Sequence, residues 1–156
     1  MDRNEIIMTG KGVEAAIVLT NTYPGVSFMW NGTEICDDAE NNMFSNRFQG
    51  KRSTINWSKA MTEKGKDRIE LVKKIHHLHH TCDAIKNGDI TWLETSAPEE
   101  IIAFTRQSDT QKLLVVINTK NIPVAVNIQQ NAENAIISFL QDSFRNYCNQ
   151  IVTYCP

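Results

Sequence analysis

Apolar residues recur at helical spacing in two stretches of the first half of the chain. Val13, Ala16 and Ile17 fall at positions i, i+3 and i+4, so residues 12 to 22 are predicted to form a helix. The same period returns from Lys66 to His80, where lysines and histidines crowd the C-terminal end that the helix dipole makes favourable for positive charge. The pattern therefore predicts two amphipathic helices with a long non-periodic segment between them.

A largely apolar run, Val26 to Trp30, follows the first helix and ends abruptly at the polar turn Asn31-Gly32. Pro24 precedes the run. A proline biases the residue before it, here Tyr23, away from the helical region of backbone conformation. The run is predicted to be a short buried strand that carries polar groups to an edge of a sheet. In parallel α/β sheets that edge is where ligands bind. Residues 31 to 65 show no period, and such a loop is usually functional or disordered.

The period changes to short β-rich runs in the second half of the chain. The four clearest runs are Ile90 to Glu94, Ile101 to Arg106, Lys112 to Asn118 and Pro123 to Ile128. Two weaker runs are Ile136 to Leu140 and Ile151 to Cys155. Their regular spacing predicts an antiparallel sheet or small sandwich. The expected fold class is α+β, with an α/β part at 1–88 and an all-β part at 89–156.

Composition narrows the class of protein only in part. The chain has 156 residues, a net charge of −2 and a pI near 6.1, which gives no reason to expect nucleic acid or an anionic membrane as a partner. The sequence shows no apolar run of about 20 residues and no signal-peptide core. Cytoplasmic localisation is expected for the chain as it stands, although the compartment of a longer protein stays open. The cysteines lack metal-knuckle spacing and are expected to be reduced thiols; their positions are Cys36, Cys82, Cys148 and Cys155.

Several blocks of sequence resemble one family in the order in which that family has them. Residues 25 to 34, GVSFMWNGTE, are similar to the GVPFxYNGxE-like segment on the last barrel strand of the alpha-amylase family of glycoside hydrolases. Residues 13 to 19 resemble the helix before that strand, and residues 69 to 88 resemble the final barrel helix. His79 stands where the family usually has arginine, and Ser27 replaces the usual proline.

The resemblance implies the remnant of a (β/α)8 barrel, helix–strand–helix, followed by the family's C-terminal β-sandwich domain. It implies an enzyme that acts on alpha-glucans. The family's catalytic carboxylates lie on the fourth, fifth and seventh barrel strands, which have no counterpart here, and a complete barrel needs about 250 residues. We therefore expect the chain alone to be non-catalytic, and we assign no catalytic residue. Trp30 and Asn31 are candidate substrate-binding residues in an intact barrel only, and Glu34 is expected to cap the strand end.

Metal binding is considered and not predicted. His76 and His80 are spaced i, i+4, a geometry that can hold zinc, but the sequence suggests no third ligand. Asp37, Asp38, Glu40 and Asn42 offer oxygen ligands for calcium, which is common in amylases, yet their spacing differs from an EF-hand loop. A solvated acidic loop is the expectation, and no cofactor is predicted.

Two other functions remain open from the sequence. A carbohydrate-binding module would use tryptophan faces, for which Trp30, Trp57 and Trp92 are candidates, with alpha-glucan or oligosaccharide bound weakly at most. An assembly module would pair with another chain, because a lone barrel strand leaves backbone groups unpaired on both edges. Self-association through that strand is the corresponding partner prediction.

Overall fold

The computed structural model describes Met8, residues 12–38 and 54–128, and the backbone of 135–136 and 150–154. Its helices are α1 (Gly12–Thr22), α2 (Glu63–Thr81) and α3 (Asp83–Asn87), with 3₁₀-helices at Thr33–Ile35 and Trp57–Met61. Its strands are β1 (Asp89–Trp92), β2 (Ile101–Gln107), β3 (Lys112–Asn118), β4 (Ala135–Ile136) and β5 (Gln150–Tyr154). The predicted α+β class is confirmed.

Both predicted helices are confirmed, and α2 begins slightly earlier than its apolar period indicates. The cause is a cap, since Thr62 precedes the helix and its Oγ1 accepts a 3.0 Å hydrogen bond from the amide of Gly65. Gly65 is required there because a Cβ would meet the carbonyl oxygen of Lys59 at 2.0 Å. The capping residue and the tight approach together fix where α2 starts.

The strands form a five-stranded antiparallel sheet in the order β1-β2-β3-β5-β4. Residues 101 to 106 and 112 to 118 are strands as predicted, and a strand at 89–92 matches the run from Ile90. Of the two weaker candidates, the second is confirmed at Gln150–Tyr154. The first overlaps β4 at Ile136, and its residues 137 to 140 lie outside the described residues.

The prediction of a strand at Pro123 to Ile128 is wrong. Only Ile128 bridges the sheet region, opposite Thr95. After β3 the side chain of Asn118 accepts from the amide of Lys120 and donates to the carbonyl oxygen of Ile122, so the chain turns away from the sheet. Strand β3 is paired with β2 on one edge and with β5 on the other, so neither edge of β3 is open to this segment.

The prediction of a buried strand at Val26 to Trp30 is also wrong. The segment has no strand assignment, Val26 is fully exposed and Phe28 is 78% exposed. A strand needs a neighbour for its backbone groups, and no described strand lies beside this segment. Its residue types favour a strand, but no other strand in the described part of the chain is placed to pair with it.

One hydrophobic core joins the helices to one face of the sheet. Its members include Val13, Ile17 and Val18 of α1, Ile75 of α2, and Phe104, Leu113, Val115 and Ile117 of the sheet. A second cluster covers the other face, where residues of β2 and β3 pack against Val124 and Val126. The segment after β3 therefore contributes to the core as a cover rather than as a strand.

The main hydrophobic core contains residues from both of the predicted domains. Residues on both sides of Gly88 pack in the same cluster, so the helical part and the sheet bury apolar surface against each other. The division at 1–88 and 89–156 stays a prediction. No helix within the described ranges combines the length and the hydrophobicity that crossing a membrane requires.

Candidate functional site

The polar end of the segment 26–30 is a tight, hydrogen-bonded turn. The amide of Thr33 donates to the carbonyl oxygen of Trp30 at 2.9 Å. The amide of Asp37 donates to the carbonyl oxygen of Gly32 at 2.9 Å. Gly32 has φ of 96°, a left-handed value that favours glycine. The Oε2 atom of Glu34 accepts a 2.7 Å hydrogen bond from the Gly32 amide. The carboxylate of Glu34 thus orders its own turn.

A buried arginine anchors this turn to the helices. Arg68 of α2 is 1% exposed, and its Nη1 donates to the carbonyl oxygen of Thr33 at 3.1 Å. Its Nη2 forms a 2.9 Å ion pair with Oε1 of Glu14 in α1. A guanidinium removed from water is stabilised only when such partners accept its protons. Arg68 therefore fixes the position of the turn relative to both helices.

Two adjacent aspartates at the end of the turn differ in environment. Asp37 is fully buried, and its Oδ1 accepts from the amide of Asn56 at 3.4 Å. The expectation of a solvated acidic loop is therefore wrong for Asp37, because the segment folds back against Asn56. Asp38 is exposed, and its hydrogen bond with Lys59 lowers the pKa of its carboxyl. Glu40 and Asn42 lie outside the described residues.

The two candidate substrate-binding residues lie where the segment 26–30 enters this anchored turn. Trp30 is half-buried and forms an edge-to-face ring pair with Phe28, with centroids 6.3 Å apart. Asn31 is exposed in the turn. Their sequence adjacency places them together at the polar end of the segment. Their role in binding stays a prediction.

One histidine at the C-terminal end of α2 contacts α1. His79 Nε2 lies 2.6 Å from the carbonyl oxygen of Asn21 and so ties α2 to the end of α1. His76 and His80, the candidate zinc pair, are exposed. Across the described residues, no group of three or more histidine, cysteine, aspartate or glutamate side chains is placed to hold a metal ion.

An open polar depression lies where α3 meets the sheet. It has a volume of about 450 Å³ and includes Asp83, Asp89 and Asp109 in its lining. Hydrogen bonds from Ser108, then from Asn87 and Thr110, lower the pKa of Asp83, so this carboxyl stays ionised near neutral pH. A general acid in glycoside hydrolysis needs a raised pKa. Asp83 therefore lacks the property that such a role requires.

Three aromatic rings cluster beside the sheet. Phe104 is fully buried, and its ring lies 5.3 Å from that of Trp92 and 6.4 Å from that of Tyr23. Tyr23 and Trp92 are about half exposed, with centroids 6.0 Å apart. The buried ring holds the two exposed rings as a fixed pair, and we call Tyr23 and Trp92 the aromatic pair. Trp57, another candidate, is 57% exposed on a separate 3₁₀-helix.

Sequence reasoning missed the buried charged residues that organise this structure. Arg68, Asp37 and Arg106 are each at most 3% exposed. The first two hold the polar turn, and Arg106 joins the sheet to the helices. The only signal in the sequence is an arginine within an otherwise apolar period or strand, as at Arg106 in the run from Ile101. That signal indicates burial without naming the partner.

The fold is that of the alpha-amylase family of glycoside hydrolases, and the resemblance predicted from the sequence is confirmed. A noncanonic maltogenic alpha-amylase from Thermotoga neapolitana matches with a TM-score of 0.66 and 17% identity, over 99% of this chain and 37% of that one. An alpha-amylase from H. orenii matches with a TM-score of 0.57 and 21% identity, over 92% of this chain and 33% of that one. Identities this low establish likeness in fold.

One curated relative matches in sequence. The alpha-1,4-glucan:maltose-1-phosphate maltosyltransferase of Picrophilus torridus is 26% identical over 129 residues, which is 80% of this chain and 18% of the relative. No family model matches the chain. The chain thus spans less than a fifth of that relative and roughly a third of either amylase.

Proposed function

We propose that this chain is the C-terminal portion of an amylase-like glycoside hydrolase that acts on alpha-glucans, and that it is non-catalytic alone. In this proposal α1, the segment 26–30 and α2 form the last helix–strand–helix of a (β/α)8 barrel, and the sheet is the C-terminal β domain. Supporting this, nearly the whole chain matches the fold of one amylase while covering only 37% of it.

The carboxylates around the strand end favour a structural role. Glu34 accepts from the Gly32 amide, Glu14 pairs with Arg68, and Asp38 pairs with Lys59. Retaining hydrolysis needs two carboxylates about 5 Å apart, one of them protonated through a raised pKa. The pKa of the Asp38 carboxyl and that of the Asp83 carboxyl are both lowered, which is the opposite of what a general acid needs.

A first experiment tests the inactivity of the chain alone. The purified chain is incubated with maltoheptaose, and products are followed by chromatography. We expect no hydrolysis. Turnover that disappears in Glu34→Gln and persists in Glu99→Gln, an exposed control, would contradict the proposal.

A second experiment tests the family activity. This chain replaces the matching part of the Thermotoga neapolitana amylase in a single fused polypeptide, which is then assayed on maltoheptaose. We expect hydrolysis by the fusion and none by the amylase lacking that part. A folded fusion without activity on alpha-glucans argues against the proposed function.

The aromatic pair supports a second candidate, a carbohydrate-binding role. Tyr23 and Trp92 present ring surface to solvent while Phe104 holds them from below. Fixed aromatic faces bind ligands at little entropic cost. Titration with maltoheptaose should change the tryptophan fluorescence of the chain, the change should be lost in Trp92→Ala, and it should be retained in Trp57→Ala. A flat titration would exclude this role.

A further inference from the structure

The sequence contains two Asn-Gly pairs, Asn31-Gly32 in the polar turn and Asn87-Gly88 at the end of α3. Asparagine loses ammonia most readily in this pair, because glycine has no side chain to hinder its own backbone nitrogen. That nitrogen attacks Cγ of the asparagine and closes a five-membered imide. The two pairs have different surroundings, so the structure predicts different fates for them.

The chemistry of the reaction, called deamidation, needs only water. The bond from Cγ to Nδ2 of the asparagine breaks, the bond from Cγ to the glycine nitrogen forms, and the proton of the glycine amide leaves with the ammonia. Water then opens the imide and yields aspartate or isoaspartate. Each event adds one negative charge, and isoaspartate also adds one atom to the path of the backbone.

The turn around Asn31 has a conformation that opposes the imide. The hydrogen bond from the Thr33 amide to the Trp30 carbonyl oxygen closes a four-residue turn with Asn31 and Gly32 at its centre. Gly32 has φ of 96° and ψ of −13°, values typical of the third residue of a type II turn. Imide closure requires the Gly32 nitrogen to eclipse Cβ of Asn31 across the Cα–C bond. A type II turn rotates these two atoms apart, so the turn must open before the reaction.

Glu34 restrains the peptide group that has to rotate. Its Oε2 accepts a 2.7 Å hydrogen bond from the Gly32 amide, and hydrogen bonds to an ionised carboxylate are stronger than those between neutral groups. The next carbonyl oxygen, that of Thr33, accepts from the buried Arg68. Rotation of the Gly32 peptide towards the imide breaks the bond to Glu34. The carboxylate therefore raises the free energy of the reactive conformation.

We propose that Asn31 is a latent deamidation site and that Glu34 is the residue that restrains it. Asn31 is exposed, so water reaches it as soon as the turn opens. The reaction does not reverse, because ammonia is lost. Its product places a second carboxylate near Glu34, and repulsion between like charges disfavours closure of the turn. A transient opening of the turn thus becomes a permanent chemical change, and neither a substrate nor another chain is required.

The second pair provides an internal comparison, because it is restrained by other groups. Asn87 Nδ2 donates to Oδ1 of Asp83 at 2.7 Å, and the Gly88 amide donates to the carbonyl oxygen of Ala84 at 3.0 Å. A Cβ added to Gly88 would lie 2.3 Å from that oxygen, so the backbone is closely packed there. Neither hydrogen bond involves Glu34. A faster reaction at Asn87 would therefore report loosening of the whole fold.

The test follows deamidation of the purified full chain in neutral buffer. Liquid chromatography with mass spectrometry of its peptides separates asparagine, aspartate and isoaspartate at Asn31 and at Asn87. Asn31 in the folded chain should react at least about tenfold more slowly than in the same chain unfolded in urea. Glu34→Ala should raise the rate at Asn31 roughly tenfold, as expected for loss of a hydrogen bond to a charged group, and should leave Asn87 unchanged. Glu99→Ala, at an exposed glutamate, is the matched control and should change neither rate.

A milder variant separates the hydrogen bond from the charge. Glu34→Gln keeps an acceptor oxygen without the charge, so its rate at Asn31 should lie between those of the unaltered chain and Glu34→Ala.

Three results would overturn the proposal. The first is an equal rate at Asn31 in the folded and unfolded chains, since the turn would then restrain nothing. The second is an equal rate at Asn31 in Glu34→Ala and Glu99→Ala. The third is a parallel rise at Asn31 and Asn87 in Glu34→Ala, which would assign the effect to general unfolding.

Discussion

Arg106 in strand β2 donates a 2.9 Å hydrogen bond from Nη1 to the carbonyl oxygen of Thr22, the last residue of α1, across 84 positions of sequence. Its Nε and Nη2 donate to the carbonyl oxygens of Gly88 and Ile85. Burial lowers the pKa of the Arg106 guanidinium, and the neighbouring Cys82 and Asp89 partly offset this lowering. One side chain thus terminates α1, orders the end of α3 and joins both to the sheet.

Replacing Arg106 by methionine should therefore destabilise the fold strongly. The change keeps apolar volume but leaves three buried carbonyl groups without their donor, a loss on the order of 3 kcal/mol. The loss in the free energy of unfolding is measured by urea titration, with circular dichroism as the signal. Lys73→Met, which breaks an exposed pair with Glu70, is the control and should cost about 0.5 kcal/mol or less. Equal effects of the two changes would show that Arg106 does not join the elements.

The Arg68–Glu14 pair should show strong coupling in a double-mutant cycle. Arg68→Met leaves Glu14, whose side chain is 13% exposed, without its cation, so that change should cost roughly 3 kcal/mol. Glu14→Gln keeps a hydrogen-bond acceptor and should cost less. With both residues replaced, the free energy of unfolding should recover part of the loss. Additive effects in urea titrations would contradict a direct interaction.

Truncation of Val26 and truncation of Val115 should have very different effects on the free energy of unfolding. Val26→Ala should change the free energy of unfolding by about 0.5 kcal/mol or less, because Val26 is fully exposed in the chain. Val115→Ala, at a residue with no exposed surface in β3, should cost about 1.5 kcal/mol or more. Thermal or urea unfolding of the two variants gives the comparison. A large effect at Val26 would indicate that the segment is covered in the lone chain.

Asp83 should contribute a pH-dependent share of stability. Hydrogen bonds led by Ser108 lower its folded pKa below the ordinary value of about 3.9. The stabilisation is therefore present above that ordinary value and is lost as the pH falls through the folded pKa. The difference in urea midpoint between the unaltered chain and Asp83→Asn should be constant near neutral pH and should shrink once the pH falls below the ordinary value. A difference that grows on acidification would contradict the sign of the shift.

Elements governed by local sequence are predicted well here. The helix Gly12–Thr22 has the predicted bounds because its apolar period and the following Tyr23-Pro24 signal lie within a few residues of one another. Strands β2 and β3 follow from short β-rich runs in the same way. The run from Pro123 has a similar local composition but does not form a strand, because β5 already occupies the edge of β3. Which edges are occupied is a property of the tertiary fold.

In the turn after Trp30, too, local features are predicted from the sequence and long-range contacts are not. The turn after Trp30 is predicted by Asn31-Gly32, and the capping role of Glu34 follows from its position two residues beyond Gly32. The burial of Asp37 and the contacts of Arg106 depend on segments far apart in sequence, so neither composition nor spacing identifies them. The resemblance to the amylase family identified the fold where periodicity alone indicated only an α+β protein.

Hydrogen–deuterium exchange of the lone monomeric chain tests the central claim most directly, namely that the segment from Val26 to Trp30 has no strand partner in this chain, as the proposed barrel remnant requires. The account predicts that the amides of residues 26–29 exchange at nearly the unprotected rate, while those of Leu113 to Ile117 in β3 are strongly protected. Protection at residues 26–29 equal to that of β3 would contradict it.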